Sequence, residues 1–238
     1  MIVSYLHNFI FIKTKKTAGT TVEMTLAPHC GPDDIITPIG KQEEMVRGNG
    51  TPLCRNYSSR PELEQKLREA LGGKGLRNKR ERWQIAEEMG DKFGSHFGAE
   101  AIKSRIAPEF WEKAFKFSAE RHPYEKAVSF AYFTLHKSER SFEQHLDKVV
   151  RKGGYGGYRF YTIDGQVVVD DFVRLESIKD DLKRIGAKLG IAIPNELPRS
   201  KTKTRTDRRP AREILSDAQK ETIYKMCKEE FELFGYER

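Results

Sequence analysis

Two short runs in the chain carry the alternation and burial expected of strands, and each feeds a helical pattern. Phe9, Ile10, Phe11 and Ile12 form an unbroken apolar run of aromatic and β-branched residues, the composition of a strand buried on both faces. Phe115 to Glu120, FKFSAE, alternates apolar and polar residues and predicts a second strand. After the first run comes a turn of basic and small residues, Thr14 to Thr21, and then a helix with Val22 and Leu26 one turn apart. After the second comes Arg121-His122-Pro123. Pro123 suits the first position of a helix and holds His122 extended, and the helical pattern continues through YEKAVSFAYFTLHK.

Weaker signals fill in the rest. Pro28 to Pro38 reads as a loop, and Gly40 to Tyr57 has no clear period. Ser59, Pro61 and Glu62 predict a helix start with a capping box, and Gly72-Gly73 its stop. Leu76 to Met89 is strongly charged, with Trp83, Ile85, Ala86 and Met89 as its packing face. AEAIKSRI, from Ala99, is a short amphipathic helix. Tyr158 to Ile163 and Val167 to Val169, joined by Asp164-Gly165, predict a hairpin. IKDDLKRIGAKLGI, from Ile178, is an amphipathic helix. Ser216 and Asp217 open a last helix with Ile223, Met226, Cys227, Phe231 and Phe234 available for packing. The expectation is one α/β domain over residues 1–238, with a mainly parallel sheet flanked by helices. Residues 41–92 read as a variable helical region and a candidate acceptor-side insertion.

Charge narrows the partners. The chain has 238 residues and a formal net charge of +8, which points to an acidic ligand: a nucleotide, an acidic sugar, nucleic acid or a membrane surface. Cys30, Cys54 and Cys227 are odd in number and lack metal-ligand spacing, so they read as free thiols in a reducing compartment. No run approaches the length of a membrane span, and no basic segment or small-residue cleavage site accompanies Phe9 to Ile12. A cytoplasmic location is therefore expected.

The two strand-to-helix corners carry the candidate chemistry. The first N–H groups of a helix have no internal partner, and the helix dipole favours an anion there. Lys16 adds a full charge and Thr17, Thr20 and Thr21 add hydroxyls, while Gly19 allows close approach to the backbone. This is not a Walker A loop, because Lys16 precedes the only Gly. At the second corner Arg121 can clamp a phosphate with two parallel bonds, and Ser129, two turns into the helix, can donate a third. His96 lies between Gly94 and Gly98 at a helix entry. The basic run Arg199 to Arg209 reads as a solvated loop.

Taken together, the corners resemble those of sulfotransferases that use 3′-phosphoadenosine-5′-phosphosulfate (PAPS), in the carbohydrate and bacterial branch called sulfotransferase family 2. The family's PKTAGTT-like loop is similar to Lys15-Lys16-Thr17-Ala18-Gly19-Thr20-Thr21, and its VRNPYERLVSAY-like segment to Glu120 through Tyr132. GSHFGAEAI resembles its His-containing segment, DFVRLE from Asp171 its DFVGRFE strand, and FELFGYE its C-terminal ending. The likeness runs from about Phe9 to Tyr236 and is thinnest over Lys41 to Lys92. Departures are Lys15 for Pro, Glu120 for an apolar residue, His122 for Asp or Asn, and Lys126 for Arg.

The resemblance implies a P-loop nucleotide-kinase-like sulfotransferase fold. It also implies transfer of a sulfuryl group from PAPS to an acceptor hydroxyl, leaving 3′-phosphoadenosine-5′-phosphate. A carbohydrate or a small natural product, anionic ones included, is the expected acceptor. Lys15 to Thr21 would hold the 5′-phosphosulfate. Arg121, Ser129 and a basic loop with Lys201, Lys203 and Arg205 would hold the 3′-phosphate. Lys16 would act at the phosphosulfate bridge and His96 as general base, with Glu23 and Glu120 as alternative bases. No metal is expected. A P-loop-like kinase or other NTPase and a non-catalytic nucleic-acid binder are the rival readings. The residue order at Lys16 speaks against the first, and the second leaves both corners without a role.

Overall fold

The computed structural model describes residues 1–72, 92–198, 200 and 205–238. The expected helix at Leu76 to Met89, and Lys201 and Lys203, lie outside the described residues. A five-stranded sheet forms the centre. In chain order its strands are β1 (Ile2–Ser4), β2 (Phe9–Ile12), β3 (Ile35–Ile36), β4 (Phe115–Glu120) and β7 (Asp171–Arg174), in spatial order β3-β1-β2-β4-β7. Pairing is parallel for β2–β4 and β4–β7 and antiparallel for β1–β2 and β1–β3, so four of the five strands point the same way. The sheet is thus mixed and mostly parallel. β1 lies ahead of the run expected as the first strand and pairs with it, Val3 opposite Ile10.

The period of two along β2 divides the core. Phe9 and Phe11 face one cluster, where Val22 and Leu26 of α1 (Gly19–Leu26) meet Phe117, Val173, Leu182 and Ile185. Ile10 and Ile12 face the other, against Tyr57, Phe93, Ile102 and Trp111. Helices cover both faces, as a buried parallel arrangement requires. The second face is covered by α3 (Pro61–Leu71), α4 (Ala99–Lys103) and α5 (Pro108–Lys113), and the first by α1 and α8 (Ile178–Leu189). A third cluster packs α6 (Pro123–Thr134) and α7 (Phe142–Lys152) on the C-terminal helices.

Several local expectations are corrected. Gly40 to Tyr57, without a clear period, contains α2 (Lys41–Arg47), whose buried Glu44 pairs with buried Arg47. No capping box opens α3: its N-cap is Arg60, and the Glu64 carboxylate accepts from the N–H groups of Asn56, Tyr57 and Ser58 instead. The hairpin is only β5 (Thr162–Ile163) and β6 (Gln166–Val167), preceded by a 3₁₀ turn over Tyr158–Phe160. A short α9 (Ala211–Ile214) precedes the last helical stretch, which breaks at Cys227 into α10 (Asp217–Met226) and α11 (Lys228–Phe234); a Ser216–Gln219 capping box starts α10. The three cysteines form no disulfide. Among the described residues no helix is long and apolar enough to cross a membrane.

One buried polar cluster joins the sheet to the C-terminal helices. Lys126 Nζ lies 2.6 Å from Glu120 Oε1 and also pairs with Glu230, all three side chains buried. Tyr161 donates its hydroxyl to Glu120, and Gly157 and Tyr158 donate backbone N–H groups to Glu230. Gly157 sits so close to the Glu120 carboxylate that a side chain there would overlap it. Glu120 and Lys126, two departures from the sulfotransferase-like pattern, are therefore partners. Burial, and Glu230 beside it, push the Glu120 carboxyl up to about 7 despite Lys126. A carboxyl raised in the fold contributes stability that is complete below about pH 4.5 and is lost as pH rises towards 7. Lys126→Met leaves two buried carboxylates facing each other, and is expected to cost about 3–5 kcal/mol at pH 7.5. The cost should shrink at pH 5, where the pair holds a proton. Urea unfolding at both pH values checks this; an equal loss at both would remove the carboxylate explanation.

Candidate functional site

Parallel pairing of β2 with β4 sets the carboxyl ends of the two strands side by side, Ile12 opposite Ser118. In an open α/β sheet that edge is where ligands bind. The structure has a cleft of about 900 Å3 there. It is lined by the whole first corner from Lys13 to Thr21, by Arg121 and Ser129 of the second corner, by His96 and by Arg205. The residues expected to hold the nucleotide, so far as they are described, and His96 all belong to the lining of this one cleft.

The first corner is tightly wound. Lys16 and Ala18 both have left-handed backbones, at φ 64° and 60°, although neither is glycine. Alternation of left-handed with ordinary residues curls successive N–H groups toward one point, an anion-holding concavity. Such conformations cost energy and persist where surrounding structure fixes them. Here the fixing contacts are hydroxyls. Thr14 donates to the Ala119 carbonyl across the sheet, and Thr14 and Thr17 Oγ1 lie 2.9 Å apart. Thr17 is fully buried, so its side chain holds the loop instead of facing the cleft; this revises its expected part as a hydroxyl donor to an anion. Thr21 N–H bonds to the Ala18 carbonyl at 2.8 Å and starts α1. That leaves the N–H groups at the entry of α1 for a ligand.

Lys13, which the sequence reading passed over, organises the corner. Its ammonium pairs with Glu23 of α1, and both are buried. Burial alone would raise the Glu23 carboxyl, but Lys13 and the amino group of Met1 overcome it and hold it at about 2. Glu23 is thus a locked structural anion, fully buried, and Glu120 is turned away into its lysine cluster; neither lines the cleft. Both are corrected as alternative bases.

His96 does face the cleft. Its Nδ1 lies 3.0 Å from the Lys13 carbonyl oxygen. A carbonyl only accepts, so Nδ1 carries the hydrogen and Nε2 keeps its lone pair. Ser95, next to it, anchors the segment by donating to the Pro38 carbonyl at 3.1 Å. Desolvation by burial pushes the His96 imidazole down to about 4, against the opposing effect of its bond to the Lys13 carbonyl. It is neutral at pH 7.

Cations dominate the walls: Lys13, Lys15, Lys16, Arg121, Lys179 and Arg205, against the acid Glu196. Lys16 Nζ lies over the Phe133 ring, 4.1 Å from its centre, and Lys15 Nζ lies 5.9 Å from that of Phe160. At the second corner His122 Nδ1 accepts from Tyr124 N–H and caps α6. Phe130, Phe133, Leu175, Ile178 and Leu197 supply an apolar wall that the sequence reading missed. Only the i, i+4 spacing of Phe133 from Ser129, with Phe130 three residues before Phe133, could have pointed to it. Among the described residues no group of three or more His, Cys, Asp or Glu is placed to hold a metal.

Gly19 has a reason beyond ligand approach. A Cβ added there would lie 2.8 Å from Lys13 Cγ, and Lys13 cannot swing aside without breaking its pair with Glu23. Gly19→Ala is expected to lower stability by about 1–3 kcal/mol, the usual cost of overpacking. Thermal and urea unfolding measure it; a neutral substitution would mean that Lys13 is not held where the structure has it. Compared with protein-family models, with curated proteins and with solved structures, the chain matches none of them.

Proposed function

We propose that this chain is a PAPS-dependent sulfotransferase on a P-loop nucleotide-kinase-like fold, acting on an acceptor hydroxyl of a carbohydrate or small natural product. The observation that carries the reading is the convergence of two anion corners, on adjacent parallel strands, with a neutral histidine in one cleft. A kinase would account for the first corner alone. A nucleic-acid binder would not need either corner inside a cleft.

Bound in this cleft, the nucleotide would supply an activated sulfuryl group. The first corner, Lys15 to Thr21, holds its 5′ end through backbone N–H groups ahead of Thr21 and the Thr20 and Thr21 hydroxyls, and Lys16 supplies positive charge where negative charge grows on the leaving phosphate oxygen. Arg121, Ser129 and Arg205 hold the 3′-phosphate, and the Phe130–Phe133 wall takes the base. His96 Nε2 accepts the proton of the attacking hydroxyl, its ring fixed by the Lys13 carbonyl. Positioning and charge do most of the work, as in phosphoryl transfer.

Thermal shift and calorimetry with 3′-phosphoadenosine-5′-phosphate, adenosine 5′-phosphate and ATP with Mg²⁺ test the reading. Preference for the bisphosphate is expected, and Arg121→Ala and Ser129→Ala should each reduce that preference by about tenfold or more. Equal binding of all three ligands would refute the second corner.

The pH–rate profile tests His96. Because its pKa lies below 6.5, near 4 in the ligand-free fold, activity should not fall with a midpoint at 6.5 as pH is lowered. The acidic limb belongs further down. His96→Ala should keep nucleotide affinity, lower kcat by roughly a hundredfold and abolish that limb. An acidic limb that survives in His96→Ala assigns the base elsewhere.

A further inference from the structure

Glu125, in the first turn of α6, touches three separate parts of the chain. Its Oε2 accepts from Arg121 Nη2 at 2.9 Å and from Arg205 Nη1 at 2.6 Å. Its Oε1 accepts from the Ala211 N–H, at the start of α9, at 2.7 Å. Arg205 is held on its other edges as well: Nε donates to the Asp207 carbonyl at 2.7 Å, and Nη2 to that of Arg209. Both arginines line the cleft, whereas Glu125 does not. The carboxylate thus stands behind two guanidiniums that face the same space. Like charges brought this close repel, and an intervening carboxylate removes that repulsion while fixing their spacing. An ordinary surface pair at i, i+4 would involve Arg121 alone. The second arginine and the backbone donor, eighty and eighty-six residues away, take this contact beyond a helix-surface pair.

We propose that Glu125 is a positioning residue for the second anion corner. It holds Arg121 and Arg205 at the separation at which their remaining N–H groups meet one phosphomonoester dianion. It also pins the backbone at Ala211 to that corner. The proposal rests on the sulfotransferase reading and deepens it by giving the preference for a 3′-phosphate a structural determinant outside the ligand's reach. Guanidiniums keep N–H groups to spare, since a guanidinium has five and Arg205 spends three on protein partners.

The test is calorimetry with 3′-phosphoadenosine-5′-phosphate and adenosine 5′-phosphate on wild type, Glu125→Gln, Glu125→Asp, Arg205→Ala and the double variant Glu125→Gln/Arg205→Ala. Glu125→Gln keeps the shape and removes the charge. It is expected to weaken the bisphosphate about tenfold and leave the monophosphate within about twofold. Glu125→Asp should recover part of the loss. The double variant should bind the bisphosphate as Arg205→Ala does, because both changes remove one arrangement. Unaltered preference in Glu125→Gln overturns the proposal and leaves the sulfotransferase reading standing. Tighter bisphosphate binding in that variant also overturns it, since the carboxylate would then be competing for the arginines. Additive losses in the double variant do the same. A wild type that ignores the 3′-phosphate removes the reading of the corner and this proposal together.

Discussion

The buried ion pair of Lys13 and Glu23 is the constraint on which the rest of the site depends. Lys13 follows the last residue of β2, and Glu23 lies on the α1 face turned inward, so the pair fixes the angle between strand and helix. Gly19 must be small because the Lys13 stem passes beneath it. The Lys13 carbonyl in turn sets which His96 nitrogen carries hydrogen. One residue therefore ties together the curl of the anion loop, the entry of the helix and the orientation of the histidine. Such a pair costs desolvation on both sides: removing Lys13 would leave buried Glu23 to the Met1 amino group, and removing Glu23 would strip the buried Lys13 ammonium of its carboxylate. That asymmetry makes the geometry of the corner hard to relax.

The second corner is built on the same principle with more partners. Glu120 ends β4 and is pulled inward by Lys126, three residues before Ser129 on α6, and Glu230 of α11 closes the cluster. With its side chain turned inward, Glu120 does not line the cleft, and its backbone leads directly into Arg121, which does. Its Oε1 also accepts the Arg121 N–H at 2.8 Å, which steers the chain at the point where it leaves the sheet. The carboxyl of Glu120, a departure from the sulfotransferase-like pattern, is spent within the core.

What was legible in the sequence follows from how local its cause is. FIFI and FKFSAE are strands because their own alternation and bulk demand it, and Pro123 fixes the start of α6 within its own turn. The two corners could be read because strand, turn and helix entry are contiguous. β1 was not legible: three residues, Ile2 to Ser4, carry too little pattern to announce a strand, and only pairing with β2 makes them one. α2 escaped because its buried face is polar, Glu44 and Arg47 satisfying each other. The capping box before α3 was a sound local signal that lost to Glu64, whose carboxylate takes three backbone donors at once. Lys13 and Glu125 were missed for the opposite reason from β1. Their own residue types are unremarkable, and their roles come from partners across the fold.

That last class of residue matters most for the proposed chemistry. A loop motif announces donors to an anion, but a cluster of donors is a cluster of positive charge, and it must be held together before the anion arrives. In this chain each corner carries its own carboxylate for that purpose: Glu23 behind Lys13 and Glu125 behind Arg121 and Arg205. Neither carboxylate lines the cleft. The donors therefore stay spaced in the ligand-free fold, and less ordering remains to be done when a ligand binds, which is the usual route by which preorganisation turns charge into affinity. On the proposed reading, the same spacing would hold the donor nucleotide at both ends, leaving the hydroxyl acceptor to be placed by His96 and the walls around it. The reacting centre would then lie between two rigid anchors, which is what in-line transfer requires of its scaffold.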